Sequence, residues 1–82
     1  MIDPIQKSVK ANFSRERRRH VLALLRGDRV LETVGPDAQL LYAVGALVCD
    51  DTGRVSEADL HLALRDPSIV SAARELLRKA AA

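Results

Sequence analysis

Few side chains in this 82-residue chain could do chemistry, and they are scattered. Cys49 is the one thiol, and His20 and His61 are the two imidazoles. A nucleophile needs a base within reach and a group that orients that base. No local signature joins Cys49 to either histidine, so Cys49 reads as a small core residue. One thiol and two imidazoles are also too few for a structural zinc site. The carboxylates Asp50, Asp51, Glu57 and Asp59 crowd one stretch. With Gly53 as the sixth residue of a calcium loop, Asp50, Thr52, Ser56 and Asp59 take positions 3, 5, 9 and 12. The first position is then Val48, which carries no carboxylate, and the twelfth is Asp in place of the bidentate Glu. Turn and helix-cap roles account for these carboxylates. No glycine-rich phosphate loop is present. The chain is therefore not expected to be an enzyme, and no cofactor or metal is expected.

Arginine is the chemistry that remains. Residues 1–29 carry eight basic and three acidic side chains, a net charge of +5, while residues 30–82 carry a net −3. The overall +2 averages these two unlike parts. A basic N-terminal third suits an acidic partner, or could face the acidic remainder of the chain. With Phe13 and Tyr42 the only aromatics, a surface that stacks unpaired bases is excluded. Any binding must use arginine and aliphatic contacts.

A hydrophobic share of 48% with balanced charge argues for a folded chain. The length allows one domain, 1–82, with a basic helical part at 1–29 and a helical core at 36–80. The longest uncharged run, 38–49, is too short for a bilayer span, and no apolar leader opens the sequence. The expectation is a soluble, cytoplasmic protein with a reduced thiol and no membrane partner. The arginine and alanine bias is typical of GC-rich bacterial genomes.

The elements that must position the arginines are marked by punctuation. Asp3-Pro4 with Gln6 forms a capping pattern, and Ile5, Val9 and Phe13 recur every four residues, which predicts a helix over 4–12. Ser14 caps a second helix, about 15–26, with Val21, Leu22, Leu24 and Leu25 on its apolar arc. Arg15, Arg19 and Arg26 gather on another side, with Arg18 at its edge. Residues 29–34 fit one helical turn and are too short to arbitrate. Pro36 and Asp37 start a helix that runs to about 49. That helix is apolar or small all round, so it is expected at the centre with neighbours on several sides. Gly45 within it costs about 1 kcal/mol relative to Ala, which a close helix crossing would offset. Asp50-Asp51-Thr52-Gly53 reads as a turn, and 53–56 as at most a short bridge. Ser56 caps a fourth helix. Asp66-Pro67 starts a fifth, with Arg74, Arg78 and Lys79 toward its C-terminal end. The fold class expected is all-α, a compact bundle of five or six short helices around a central helix at about 37–49.

Residues 40–79 resemble the tri-helical core of the winged helix-turn-helix superfamily. The order is a hydrophobic helix, a short Gly-Arg-Val-Ser segment, a Ser-Glu-Ala-Asp-Leu helix, a tight turn and a helix starting Pro-Ser-Ile-Val-Ser. The resemblance implies that the last helix reads a DNA groove from near its N-terminus. Ser68, Ser71, Ala72, Arg74 and Arg78 would then face the groove, with Arg15, Arg18, Arg19 and Arg26 of the basic helix at the nucleic acid. The sequence departs from that pattern in three places. The turn is Arg65-Asp66 where the family has Gly and an apolar residue, Glu75 on the groove side would repel phosphate, and no wing hairpin follows.

Two functions are therefore weighed. The preferred one is a small protein-interaction module (adaptor, docking domain or inhibitor) that sets Arg15, Arg18, Arg19, Arg26, Leu62 and Tyr42 against an acidic protein partner. The other is a small helix-turn-helix-like DNA-binding regulator of bacterial or mobile-element type. A homodimer is compatible with either.

Overall fold

Side-chain caps set the helix starts in a computed structural model that describes residues 13–82. The helix expected over 4–12 lies outside the described residues. Helix α1 (Arg15–Gly27) begins where Ser14 Oγ accepts from the Arg17 amide at 3.1 Å. Asp28 ends it and starts a 3-10 turn, Val30–Glu32, by accepting from the amides of Val30 (3.0 Å) and Leu31 (3.3 Å). Helix α2 (Pro36–Val48) opens with proline in its first turn. Helix α3 (Glu57–Leu64) is capped by Ser56, whose Oγ accepts from the Asp59 amide at 3.1 Å. Helix α4 (Pro67–Ala81) is capped by Asp66, which accepts from the amide of Ser68 at 3.0 Å and from its hydroxyl at 2.8 Å.

The all-α class holds, with no strand among the described residues. Among the described residues four α-helices and one 3-10 turn stand where five or six helices were expected, and residues 4–12, where one of them was expected, lie outside the described part. The 3-10 turn is the outcome for the ambiguous stretch 29–34. The expected bridge at 53–56 is irregular backbone, because Asp50 organises this loop by itself. Its Oδ1 accepts from the amides of Thr52 (2.9 Å) and Arg54 (2.9 Å) and from the Thr52 hydroxyl (2.6 Å). Gly53, at φ 82°, supplies the left-handed residue that lets the chain turn back.

Helices α2 and α4 form the central pair, with α1 and α3 packed against both. The core is Val21, Leu25, Leu31, Val44, Leu47 and Leu76 with four alanines, Ala43, Ala63, Ala72 and Ala73. No polar or charged residue is buried among the described residues. The alanines matter to the geometry. Ala43 of α2 and Ala73 of α4 are fully enclosed, and such small side chains take up little room where helices pack. Gly45 plays no such part. A Cβ there would meet Leu60 Cδ1 and Val55 Cγ1 at 4.0 Å, ordinary contact, so the expected close crossing at Gly45 is not what the structure has.

Helix α1 runs antiparallel to α2. Arg17, near the start of α1, reaches Ala46 and Cys49 at the end of α2, while Asp28, just past α1, lies beside Tyr42 nearer the start of α2. Gln39 extends this link by donating to the carbonyls of Leu31 (2.9 Å) and Val34 (3.2 Å), tying the 3-10 turn to α2.

Candidate interaction surface

The arginines of α1 divide into two groups. Arg17 and Arg26 are bonded to other helices of the fold, Arg17 in a part-buried contact and Arg26 in an exposed one. A helix ends with carbonyls that have no partner within it, and a cation there is favoured by the macrodipole. Arg17 fills that role for α2, donating from Nη1 to Ala46 O (3.3 Å) and Cys49 Sγ (3.4 Å) and from Nη2 to Cys49 O (3.2 Å). Cys49 Sγ in turn lies 3.3 Å from Ala46 O. Arg26 does the same for α4, with Nη2 3.2 Å from Lys79 O. Arg26 had been expected at a partner, and Arg17 had no assigned role. The sequence carried no local sign of either contact, since the paired residues are 29–53 positions apart.

The second group points outward. Arg15 and Arg19 are exposed and Arg18 is half-buried. Their spacing sets Arg15 and Arg19 on one edge of α1 together with Arg26, which bonds the end of α4. On α4, Ser71, Arg74 and Arg78 recur at helical spacing, are exposed, and line a shallow depression with Glu75. Ser68, at the cap, is half-buried and bonded to Asp66. Among the described residues one ion pair forms, Lys79 Nζ to Glu75 Oε1 at 3.7 Å. Among the described residues the basic part therefore makes no ion pair with the acidic part, and Arg15, Arg18, Arg19, Arg74 and Arg78 have no carboxylate partner there.

The aliphatic candidates stand elsewhere. Leu62 is 64% exposed, on the side of α3 away from the core. Tyr42 is 37% exposed, and its hydroxyl lies against the Asp28 carboxylate. Partial burial, then the negative charge and hydrogen bond of Asp28, raise its pKa above the usual tyrosine value. The structure thus does not gather Leu62, Tyr42 and the arginines into one patch. It also exposes Leu24, Leu41 and Val30, which the sequence reading had not singled out as surface residues. Leu24 and Leu41 sit on helix arcs that read as core from periodicity alone.

Cys49 is half-buried within the Arg17 contact. Among the described residues no group of three His, Cys, Asp or Glu side chains is arranged to hold a metal ion. No described helix is long and apolar enough to cross a membrane. Comparison of the chain with protein-family models, with curated proteins and with solved structures gives no match.

Proposed function

We propose that the protein is a small cytoplasmic interaction module, without catalytic chemistry of its own, that binds an acidic protein partner through the exposed arginines of α1 and α4. The carrying observation is that Arg15, Arg18, Arg19, Arg74 and Arg78 have no carboxylate partner among the described residues, while the other arginines of α1 are bonded to other helices. Exposed arginines on rigid helices offer planar, forked donors to carboxylates at little ordering cost. They also raise the rate of encounter with an acidic surface.

The DNA reading keeps one supporting feature, the outward Ser71, Arg74 and Arg78 on α4. Against it stand Glu75 on the same depression and the bond that holds Arg26 to the carbonyl of Lys79. Phosphate contacts from these arginines would give salt-dependent affinity without sequence preference.

Fluorescence anisotropy with two labelled probes separates the readings, an acidic helical peptide and a mixed-sequence DNA duplex. The protein-binding reading expects the double reversal Arg15→Glu with Arg19→Glu to lower peptide affinity at least tenfold, with helical circular dichroism unchanged. Tight duplex binding that falls steeply with salt, without peptide binding, would establish the DNA reading instead. Binding to neither at low salt removes both.

A further inference from the structure

The arginines of α1 have a complement on the same chain. Residues 50–59 hold Asp50, Asp51, Glu57 and Asp59 against Arg54 alone, so the whole −3 of residues 30–82 gathers in this one stretch. Helix α1 holds five arginines against Glu16. Asp51, Glu57 and Asp59 are exposed, and their carboxylates have no ion pair or hydrogen bond among the described residues.

We propose that the acidic partner is a second copy of this chain, which presents the outer face of α3, an assignment that rests on the arginines binding an acidic protein at all. Leu62 is 64% exposed on that face. Helical spacing sets Ala58 four residues and Asp59 three residues before it, so both border it, and both are exposed. Glu57 opens the same helix. An apolar centre with a charged rim is the usual anatomy of a protein interface.

Helix α1 carries the matching pattern. Leu22 is half-buried, and it stands four residues after Arg18, three after Arg19 and four before Arg26. A leucine rimmed by cations thus meets a leucine rimmed by anions. Arginine stems add apolar cover while their heads reach the carboxylates. Arg18 and Arg19 make no side-chain bond among the described residues, so pairing breaks none already formed there. Helices α1 and α3 each pack against α2 and α4, and little against each other. The two patches are therefore separate surfaces, and the contact joins unlike faces of two copies.

The contact is small. The eight residues of α3 span about 12 Å, which offers well under the ~800 Å² per partner of a stable complex. Exposed ion pairs are individually weak and are screened by salt. The association is therefore weak, grows with concentration and falls as salt rises.

Sedimentation velocity of the full chain tests this pairing. At low salt the parent chain should associate as its concentration rises, and high salt should return it to monomer. Arg18→Gln with Arg19→Gln, and separately Glu57→Gln with Asp59→Asn, should each raise the concentration needed about tenfold, with helical circular dichroism unchanged. Leu62→Ser should weaken association as well. Mixing the two double variants should restore it as one-to-one pairs, because one keeps its α3 face and the other its α1 face. A parent chain that stays monomeric, association that either double variant leaves unchanged, or a mixture that stays apart overturns the assignment. An acidic helical peptide separates this failure from the broader one. Peptide binding by a chain that stays monomeric keeps the acidic-partner reading and removes the second copy; loss of both removes both.

Discussion

The Arg17 guanidinium stands 3.2 Å from the carbonyl oxygen of Cys49, joining the first turn of α1 to the last turn of α2. The contact is part-buried and is reinforced at Ala46 O and Cys49 Sγ. A charged donor that serves several acceptors in one place contributes more than a neutral hydrogen bond.

Arg17→Ala should therefore destabilise the fold by about 1–2 kcal/mol, from lost bonds and lost packing of its stem. Arg17→Lys should recover only part of this, since an ammonium lacks the fork that reaches two carbonyls at once. Arg26→Ala should cost less, about 0.5 kcal/mol, because its bond to Lys79 is single and exposed. Urea titrations of the three variants check the ranking. Equal stabilities of Arg17→Ala and the parent chain would show that Arg17 does not clamp α1 to α2.

Gly45→Ala should stabilise the protein by about 0.5–1 kcal/mol. The helix interior favours alanine, and the new Cβ finds only ordinary contacts at 4.0 Å. A lower Tm for the alanine variant would show that the α2–α3 contact is tighter than this geometry.

Acid should weaken the cap of α4 and the 50–54 loop. The Ser68 hydroxyl, then its amide, holds the Asp66 carboxyl below the usual aspartate range. The Thr52 hydroxyl, then the Arg54 amide, does the same for Asp50. A folded pKa below the unfolded one gives stability that is present above the unfolded value, near ~4, and is lost as pH falls through the folded value. Thermal melts between neutral pH and about pH 2 should show this decline. Asp66→Asn keeps an acceptor oxygen and should flatten the Asp66 part of it.

Tyr42 should ionise above the usual ~10 for tyrosine. Its neutral form is the one the fold favours, so this contribution is present below the unfolded pKa and is lost as pH rises through the folded one. Ultraviolet titration follows the single tyrosine without interference. Asp28→Asn should move the midpoint down toward the ordinary value, and an unmoved midpoint would mean that Asp28 does not act on the phenol.

Local rules made much of the fold legible. Ser14, Ser56 and Asp66 were identifiable as caps because a cap is a contact between residues two or three apart. Pro36 and Pro67 open their helices for the same kind of reason, a backbone angle set within one residue. Periodicity found the stripe of Val21, Leu25, Val44, Leu47, Ala73 and Leu76. These features follow from the sequence by itself, and so does the excess of charge in its first third. The tertiary structure alone decided what the charge does. Helical spacing puts Arg26 on the same edge as Arg15 and Arg19, yet only the approach of α4 brings Lys79 within its reach. Arg17 became a clamp because the antiparallel crossing of α1 and α2 places unpaired carbonyls beside it. Leu41 and Tyr42 sit on a helix with no charged face, so periodicity could not tell which side of it the neighbours would leave bare. That choice belongs to the packing of four helices, which encloses Ala43, Val44 and Leu47 of α2 and leaves Leu41 and Tyr42 at the surface.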